Sequence, residues 1–478
     1  MGERNLAMLT DFYEITMGNG FLQQGMQDKV AYFDMFFRCV PDGGGFAIMA
    51  GLEQLIGYFK TLCFEDADIE FLREQNQFSE EFLEYLRNFK FTCDVWAIPE
   101  GTPIFPNEPI LTIRGPVIQA QLVETMVLLL INHQTLIATK ANRIVRAAQG
   151  RAVAEFGSRR AQGCDAAALG ARAAYIGGCA GSACTISGRE FGIPVVGTMA
   201  HSWVQMFPCE IDAFRAYART YADNCLLLVD TYNVIKSGIP NAIKVFNEEL
   251  VPRGYRPRGI RIDSGDIAYL SKKSRAMLDE AGFEDCKILA SNSLDENIIR
   301  DLLLQGARID MFGVGESLIT AKSDPVMGGV YKLVALEEDG QMIPKIKISE
   351  NVEKITTPAF KQVWRLTERN TGKAIADVVT LADEEIDDQK PYEIFDPKHT
   401  WKRKTVTDFY ARKLLVPIFV GGECVYEAPD VHTIQEYSRK KIAELWDEVI
   451  RFENPHRYYV DLSKALWDVK ERLVAEFS

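Results

Sequence analysis

The hydrophobic pattern between residues 151 and 318 repeats one arrangement six times. In each repeat a short apolar run, rich in β-branched residues, ends abruptly in polar or glycine-rich residues, and a stretch with helical periodicity follows. Runs that are apolar throughout are typical of strands buried on both faces, and strands that alternate with helices predict parallel βαβ units. The six runs lie at 151–160, 192–202, 226–233, 259–266, 287–294 and 310–318.

The polar ends of these six runs predict a single functional site. In parallel α/β folds ligands bind at the carboxyl ends of the strands, which meet at one edge of the sheet. One phosphate-handling site assembled from the six ends is the simplest interpretation. The ends carry Arg159, His201, Asp230, Asp263, Asn292 and a Gly-Val-Gly-Glu-Ser turn that begins at Gly313.

The rest of the chain does not repeat this pattern and predicts a second domain. Residues 94–116 are rich in proline and β-branched residues, which indicates a small antiparallel sheet, and residues 331–383 are also β-rich. A long helical stretch at 120–149 leads into the repeats, and residues 400–478 have the pattern of a charged, helical tail. A chain of 478 residues is too long for one hydrophobic core, so two or three domains are expected.

Composition and charge favour a soluble enzyme that acts on small molecules. The net charge of −13 argues against nucleic acid or a membrane surface as the main partner, although a local arginine cluster can still bind an anionic substrate. The ten cysteines include no Cys-x-x-Cys pair and the five histidines are never four apart, which favours a reducing cytoplasm and gives no metal-ligand spacing. We expect neither a signal peptide nor a transmembrane helix, because the N-terminus is charged and no run of eighteen apolar residues occurs.

His201 and the cluster at 261–266 are the strongest candidates for chemistry. His201 would present a neutral imidazole that can accept a phosphoryl group, although a hydrogen-bonded structural histidine is the simpler alternative. Asp263 suits ribose hydroxyls or Mg²⁺ and Arg261 suits a phosphate, but an Asp-Ser-Gly sequence also forms ordinary capped turns. Asp230 has the same two interpretations, since an Asp-Thr pair also caps helices well.

The glycine turn predicts a place for a phosphate. Gly313 and Gly315 would let backbone N–H groups approach a phosphate closely, and the last loops of α/β barrels often bind one. Ser291 and Asn292, at the preceding strand end, would add further donors. Glu316 is the one carboxylate candidate for a base outside the aspartates, and its glycine-rich surroundings suit a phosphate turn better.

Phe156 and Arg159 would suit a flat, anionic aromatic ligand, with the ligand ring stacked on Phe156 and the guanidinium on its carboxylate. The alternative is a core phenylalanine beside a solvated arginine. Lys140 and Arg143 lie at helical spacing, and we expect them on a solvated helix face. The sequence has no Walker lysine loop and no nucleophile elbow, and no strand end carries a lysine placed for Schiff-base chemistry.

Five motifs occur in order along the chain: Leu9-Thr-Asp-Phe-Tyr-Glu14, Glu155-Phe-Gly-Ser-Arg-Arg160, Gly197-Thr-Met-Ala-His-Ser202, Arg261-Ile-Asp-Ser-Gly-Asp266 and Gly313-Val-Gly-Glu-Ser317. Together they resemble the nicotinate phosphoribosyltransferase family. The similarity runs at least from residue 9 to residue 335, and five ordered motifs are far more specific than any one of them.

The resemblance implies the fold of the type II phosphoribosyltransferases. That fold is α/β, with an irregular TIM-like α/β barrel and an α/β sandwich domain formed from N- and C-terminal segments. On this basis we expect the N-terminal part of the sandwich at 1–125 and the barrel at 126–338. A β-rich return to the sandwich is expected at 339–390, and a helical C-terminal region at 391–478.

The resemblance also implies a reaction. Nicotinate would be joined to 5-phosphoribosyl-1-pyrophosphate (PRPP) to give nicotinate mononucleotide and pyrophosphate, in the salvage of NAD. ATP would be a co-substrate whose hydrolysis proceeds through phosphorylation of His201, and Mg²⁺ would be held by Asp263 or Asp266 or through water. A homodimer with shared active sites is implied, in which Tyr13 stacks on the pyridine ring opposite Phe156 in the site of the partner subunit.

The family's site residues can be matched to several strand ends. Arg159 matches the arginine near the pyridine substituent and pyrophosphate, Asp263 the carboxylate that binds ribose hydroxyls, and Arg261 the adjacent phosphate ligand. Gly313 and Gly315 match the loop that holds the 5-phosphate. The remaining substrate-binding candidates are Ser182, Thr198, Asp230, Ser291, Asn292 and Glu316.

Several alternatives stay open. The nicotinamide phosphoribosyltransferases hold the amide with an aspartate, and the corresponding stretch 178–184 contains no acid, which favours nicotinate. Quinolinate phosphoribosyltransferase is shorter and has a more basic pocket, so it fits less well. A non-catalytic phosphosugar-binding or regulatory protein would not need a polar group at every strand end. A phosphosugar isomerase or lyase would need a Glu or Lys base at one of them.

Overall fold

The chain forms two compact units in a computed structural model that describes residues 5–351 and 354–477. The inserted unit is Ile137–Pro325, and the flanking unit combines Met1–Leu136 with Val326–Ser478. The inserted unit lies within the segment 126–338 in which the barrel was expected. Both ends of the chain therefore belong to the same unit.

From residue 5 onward, the first part of the flanking unit contains five strands and most of six α-helices. The helix α4 shows why these elements begin where they do, because the Ser79 hydroxyl caps it by accepting from the Phe82 N–H at 3.2 Å. The helices are α1 (Phe12–Gln23), α2 (Leu52–Thr61), α3 (Asp66–Glu74), α4 (Glu80–Arg87), α5 (Val117–Leu122) and α6 (Glu124–Ala147). The strands are β1 (Val30–Phe37), β2 (Ala47–Ile48), β3 (Asp94–Ala97), β4 (Pro103–Ile104) and β5 (Leu111–Pro116).

The helical stretch Val117–Ala147 is long and apolar enough to cross a membrane by length and composition alone. However, 61% of its most apolar window is buried inside the protein, which is typical of a core helix. The stretch is therefore only weak support for a membrane span.

The inserted unit is built around one sheet in which every pair of neighbouring strands is parallel, as the sequence predicts. The strands are β6 (Ala152–Glu155), β7 (Gly181–Ser182), β8 (Leu226–Leu228), β9 (Gly259–Ile262), β10 (Lys287–Ala290) and β11 (Met311–Val314). The helices are α7 (Cys164–Ile176), α8 (Thr185–Phe191), α9 (His201–Gln205), α10 (Glu210–Thr220), α11 (Ile239–Val245), α12 (Ile267–Glu280), α13 (Glu296–Leu304) and α14 (Glu316–Ile319).

One of the six predicted strands does not form. Segment 192–202 makes only an isolated parallel bridge between Val195 and Ser182. Pro194 has no N–H to donate to a ladder, and pairing is limited to bonds on either side of Ser182. The short strand β7, which the sequence did not predict, takes the place beside β6.

The order of strands in this sheet is β7-β6-β11-β10-β9-β8, so the first and last long strands of the unit pair with each other. Such pairing is what a barrel requires. Among the described residues, however, no backbone pairing joins β8 to β7, and the sheet has two edges. The observed fold is a mixed α/β fold with an open parallel sheet, and the closed TIM-like barrel stays a prediction.

The described residues in the last part of the flanking unit form ten strands and two α-helices. Its strand β12 pairs with β1, and β19 pairs with β3, so both ends of the chain build one sheet in the order β13-β12-β1-β5-β3-β19-β20. A second sheet has the order β18-β14-β15-β21. The elements are β12 (Gly329–Glu338), β13 (Gln341–Pro344), β14 (Lys361–Glu368), β15 (Ala374–Leu381), β16 (Tyr392–Phe395), β17 (Arg403–Val406), β18 (Phe409–Lys413), β19 (Val416–Val420), β20 (Glu423–Cys424), α15 (Val431–Ala443), β21 (Val460–Leu462) and α16 (Lys464–Phe477).

The expected helical region at 391–478 is therefore wrong in its first part. Five strands, β16 to β20, precede the first helix of this region, which begins at Val431. Their high content of Lys and Arg resembled a charged helix face, but β18 and β19 pair with buried strands that the local pattern alone does not reveal.

Candidate active site

Arg261 is the centre of a polar cluster at the carboxyl ends of the strands in the inserted unit. It lies in β9, and its guanidinium donates from Nε to the Ser291 hydroxyl at 3.0 Å. Its Nη1 donates to the Thr198 hydroxyl at 3.1 Å and to the Met199 carbonyl at 3.2 Å. Its Nη2 donates to Asp263 Oδ1 at 3.2 Å. One arginine thus joins β9, the end of β10 and the segment that precedes α9.

Asp230 and Asp263 are linked in this cluster through the backbone of Asp263. Asp230 follows β8, and its Oδ2 accepts from the Asp263 N–H at 2.9 Å and from the Ser264 hydroxyl at 2.6 Å. The Ser291 hydroxyl donates to the Asp263 carboxylate. Asp230 Oδ1 is buried and has no hydrogen-bond partner in the part of the chain that the structure describes. A buried carboxylate oxygen without a donor is costly, so it is a candidate ligand atom.

His201 lies next to these carboxylates. It is the first residue of the short helix α9 and does not follow a strand, contrary to the prediction, because segment 192–202 does not join the sheet. Its Nδ1 is 3.2 Å from the Thr231 hydroxyl, and its Nε2 is 3.7 Å from Asp263 Oδ2. The His201 side chain is 39% exposed, so a ligand can reach the imidazole.

The ends of β6 and β11 meet through Phe156 and the glycines. A Cβ added to Gly313 would lie 2.5 Å from Cε2 of the Phe156 ring, and one added to Gly315 would lie 3.1 Å from the Phe156 carbonyl oxygen. The Phe156 N–H also donates to the Val314 carbonyl at 2.8 Å. The glycines are thus required by the close approach of Phe156, a reason that differs from the predicted contact with a phosphate.

Glu316 is the first residue of α14 and is exposed. It accepts from the Lys322 ammonium at 2.8 Å, and its second oxygen lies 3.8 Å from Arg160 Nε. The nearby Lys322 lowers the pKa of the Glu316 carboxyl. A general base that works near neutral pH needs a raised pKa, so this geometry does not favour the isomerase or lyase alternative.

Ser182 and Glu155 form a buried pair at the ends of β7 and β6. Glu155 is fully buried and Ser182 is 1% exposed, and the Ser182 hydroxyl donates to Glu155 Oε2 at 2.6 Å. Burial raises the pKa of the Glu155 carboxyl. Ser182 was predicted to bind substrate, and the structure gives its hydroxyl a protein partner.

The other predicted residues lie in varied surroundings. Arg159 is exposed in a short 3₁₀ turn, and Asn292 is exposed at the end of β10 with a left-handed φ of 80°. Asp266, a predicted metal ligand, caps α12 by accepting from the Tyr269 N–H at 2.9 Å. Within the described ranges, no group of three or more His, Cys, Asp and Glu residues is arranged to hold a metal ion.

Two comparisons with known proteins decide the family. Residues 8–132 match the nicotinate phosphoribosyltransferase (NAPRTase) N-terminal domain, and residues 360–470 match the nicotinate phosphoribosyltransferase C-terminal domain. The nicotinate phosphoribosyltransferase of Bacillus subtilis is 46% identical over 474 residues, which cover 99% of this chain and 96% of that protein. The chain belongs to the nicotinate phosphoribosyltransferase family. The human nicotinate phosphoribosyltransferase is 31% identical over 525 residues, with 98% of this chain and 96% of that protein covered.

Solved structures agree with this membership. The crystal structure of human nicotinic acid phosphoribosyltransferase matches with a TM-score of 0.85 and 29% identity, covering 98% of this chain and 100% of that chain. A nicotinate-nucleotide pyrophosphorylase from Pyrococcus furiosus has a TM-score of 0.72 at 23% identity, over 93% of this chain and 98% of that chain, and supports the fold alone. The resemblance drawn from five sequence motifs is therefore confirmed at the level of the nicotinate phosphoribosyltransferase family.

The burial of some residues differs from the sequence prediction. Lys140 and Arg143 were expected on a solvated helix face, but both are buried. Their side chains lie 2.8 Å and 2.9 Å from Oε1 of Glu296, which is also buried. Helical spacing alone could not show that this face of α6 meets Glu296, which lies in the same unit but far along the chain. Tyr13 lies in the flanking unit, on α1, with 45% of its side chain exposed.

Sequence reasoning missed two residues of the candidate site. Thr231 contacts the His201 ring, and Glu155 holds Ser182. Both follow directly from the strand pattern, since Thr231 comes after the Asp230 strand end and Glu155 is the last residue of an apolar run. A charged residue at the end of a strand buried on both faces was the available signal for Glu155.

Proposed function

We propose that the chain is a nicotinate phosphoribosyltransferase, which joins nicotinate to PRPP and releases nicotinate mononucleotide and pyrophosphate in NAD salvage. The relatives at 46% and 31% identity carry that name, and the coverage is close to complete for both. The structural observation that carries the proposal is the cluster in which Arg261 binds Asp263 and Ser291 at adjacent strand ends, and Thr198 in the segment before α9. Such a cluster presents anion-binding and hydroxyl-binding groups together, as a phosphorylated sugar requires.

In the proposed reaction the bond between ribose C1 and pyrophosphate breaks, and the pyridine nitrogen forms a new bond to C1. Asp263 would accept hydrogen bonds from ribose hydroxyls, and Arg261 would bind a phosphate. Both groups are already held by neighbouring side chains, so little reorganisation is needed when charge develops. The remaining task of the protein is to place the two reactants at bonding distance.

The residues around Phe156 are proposed to take the nicotinate ring. Phe156 is half-buried against Gly313, and Arg159 is exposed in the turn that follows it. An aromatic face beside a guanidinium suits a flat ring with a carboxylate. Arg159 is thus proposed to bind the nicotinate carboxylate.

A homodimer that shares active sites is also proposed, with Tyr13 entering the site of the partner subunit. The support is an apolar face of the first helix and its lead-in, where large side chains remain between 38% and 45% exposed. Exposed aromatic and aliphatic groups on one helix face mark an interaction surface more often than solvent contact. The residues are Leu9, Phe12, Tyr13 and Met17.

ATP is proposed to phosphorylate His201. The γ-phosphoryl group would move to Nε2 and ADP would leave, with Thr231 holding the ring through Nδ1 at 3.2 Å. Nε2 is 3.7 Å from Asp263, so a phosphoryl group there would lie beside the residues proposed to bind PRPP. The added negative charge would organise the arginines around the substrate.

Mg²⁺ is the metal proposed for this site, and the residues present fit it. Mg²⁺ takes oxygen ligands, and Asp230 Oδ1 is buried without a partner in the described residues, while Oδ2 of the same carboxylate accepts from the Asp263 N–H. Asp266, by contrast, is engaged as a helix cap. We therefore propose that Asp230 and Asp263, in place of Asp266, hold Mg²⁺. When bound, the ion would neutralise charge on the departing pyrophosphate.

The test is product formation from PRPP and MgCl₂ with nicotinate or nicotinamide, each with and without ATP. The proposal predicts nicotinate mononucleotide, formed faster when ATP is present. In His201→Ala the stimulation by ATP should disappear, whereas His432→Ala, at the start of α15, should keep it. Turnover of nicotinamide alone would assign the chain to the sister activity, and no turnover of either ring would reject both.

A further inference from the structure

Glu155 is a buried acid of the inserted unit that the proposed mechanism does not use. It is the last residue of β6, and its side chain is fully buried. Oε2 accepts from the Ser182 hydroxyl at 2.6 Å, and Oε1 accepts from the Gly157 N–H. Ser182 Oγ in turn accepts from the Cys184 N–H at 2.9 Å. Each carboxylate oxygen therefore holds a different segment of the chain.

The two segments are the turns that follow β6 and β7. The turn after β6 carries Phe156. The Gly157 N–H of this turn donates a hydrogen bond to Glu155 Oε1, which holds the turn in place. The end of β7 is held by Ser182, and its backbone is further joined to β6 through the Ala183 N–H, which donates to the Glu155 carbonyl at 2.9 Å. The Glu155 side chain thus fixes the turn beside Phe156 relative to the end of β7.

Phe156 has little freedom on its other side. Its ring lies against Gly313, where an added Cβ would be 2.5 Å from Cε2, and its N–H donates to the Val314 carbonyl at 2.8 Å. The position of the ring therefore depends on two supports, β11 and the turn that Glu155 holds. If the turn relaxes, the aromatic face moves, while Arg261 in β9 and Ser291 at the end of β10 keep their mutual contact.

We propose that Glu155 is a positioning residue for the pyridine substrate: it sets Phe156 and the ends of β6 and β7 without touching the substrate itself. The inference rests on the proposed function, because Phe156 is a ring ligand only if the chain binds nicotinate. It predicts a selective effect. Loss of Glu155 should impair use of the ring substrate much more than use of PRPP, whose proposed ligands lie at other strand ends.

The test compares Glu155→Ala with Glu155→Gln by steady-state kinetics, with nicotinate and PRPP varied in turn. Glu155→Ala should raise the KM for nicotinate by about tenfold to about a hundredfold, the range expected when a binding group is misplaced by about an ångström. The KM for PRPP should change by less than about threefold. Glu155→Gln should restore the nicotinate KM nearly to the wild-type value, since its amide can accept from Gly157 and donate to Ser182.

Asp310→Ala is the matched control. Asp310 is another acid that binds a backbone N–H, that of Ile288 at 2.9 Å, but it lies at the opposite, amino end of β11. The control should lower stability without changing either KM. Equal rises in both KM values for Glu155→Ala, or failure of glutamine to rescue, would overturn the inference.

Two further outcomes keep the test decisive. If Glu155→Ala does not fold, Ser182→Ala removes only one of the two contacts, and it should raise the nicotinate KM while leaving the PRPP KM unchanged. An unchanged nicotinate KM in Ser182→Ala would then reject the proposed role. Absence of turnover in the wild-type protein would instead reject the proposed function, so the two failures are distinguishable.

Discussion

Two arginine–aspartate pairs, Arg365–Asp377 in the flanking unit and Arg261–Asp263 in the inserted unit, are built differently. In the flanking unit Arg365 binds Asp377 through two bonds of 2.8 Å and 2.6 Å, and the side chains are 2% and 0% exposed. In the inserted unit Arg261 reaches Asp263 through one bond of 3.2 Å, and the side chains are 15% and 28% exposed. We call Arg365–Asp377 the sealed pair, because it is buried and bidentate. We call Arg261–Asp263 the open pair, because it is partly exposed and has a single bond.

From this difference we propose that the same two residue types serve structure in the first pair and ligand binding in the second. Arg365 also donates to the Pro103 carbonyl at 2.8 Å, and the Tyr458 hydroxyl donates to Asp377 at 3.1 Å. Those contacts are internal and leave no room for a ligand. Arg261 spreads single bonds over several strand ends, so its partners can be exchanged for the oxygens of a bound phosphate or sugar.

The largest expected effect is on the sealed pair. Arg365→Ala would leave Asp377 as a buried charge without its partner, and should lower the free energy of unfolding by about 3–5 kcal/mol. Chemical denaturation followed by circular dichroism measures this loss. A change of less than about 1 kcal/mol would show that the pair is not a structural centre of the flanking unit.

Arg261→Ala should reduce activity strongly and stability only slightly. Stability should change little, because the pair is partly exposed, but kcat/KM for PRPP should fall by about a hundredfold to about a thousandfold, as for the loss of a preorganised charge-stabilising group. Kinetics at varied PRPP measure the fall. The matched control is Arg256→Ala, which removes an exposed pair with Asp285 near the start of β9 and should leave kcat/KM unchanged. A similar loss in both variants would remove the distinction between the pairs.

A third prediction concerns close packing beside the open pair. Gly313→Ala forces a methyl group into the Phe156 ring, and overpacking of this kind costs about 1–3 kcal/mol. The nicotinate KM should rise more than the PRPP KM, in steady-state kinetics with each substrate varied in turn. Gly57→Ala in α2, where an added Cβ meets no atom within 4 Å, is the control and should leave both constants unchanged.

The smallest effect concerns how stability depends on pH through Glu108, a buried acid near the sealed pair. Burial and the charge of Asp377 raise the pKa of Glu108 well above its usual value. The folded state therefore holds this proton more tightly than the unfolded state, and stability should fall as the pH rises above the usual glutamate pKa of about 4.3. Glu108→Gln keeps the acceptor for the Phe105 N–H and should flatten this slope, as thermal unfolding from pH 4 to pH 8 would measure. A steeper slope in the variant would contradict the assignment.

The sequence predicted the open pair better than the sealed one. Arg261 and Asp263 belong to a short polar motif that follows an apolar run, and parallel strands bring such ends together whatever the rest of the fold. Arg365 and Asp377 face each other across two antiparallel strands, which a local pattern cannot show. The burial of Lys140 and Arg143 against Glu296 was not predicted, for the same reason.

Other features of the fold depended on one residue or on distant pairing. Pro194 limits segment 192–202 to a bridge, so the apolar pattern there predicted a strand that does not form. In the C-terminal tail, β19 pairs with β3, which lies more than three hundred residues earlier in the chain. The local charge pattern of the tail had instead indicated a helix. Family resemblance supplied the expectation that both ends of the chain belong to one domain, because no periodicity in the sequence indicates the sheet that they share.

The central claim is that the strand-end cluster around Asp263 binds PRPP. Calorimetric titration of PRPP and MgCl₂ into Asp263→Asn and Asp266→Asn tests it most directly, because the two acids are three positions apart and only the second caps a helix. The account predicts that Asp263→Asn weakens PRPP binding by at least about tenfold, while Asp266→Asn binds like the wild type. Normal PRPP binding by Asp263→Asn would contradict it.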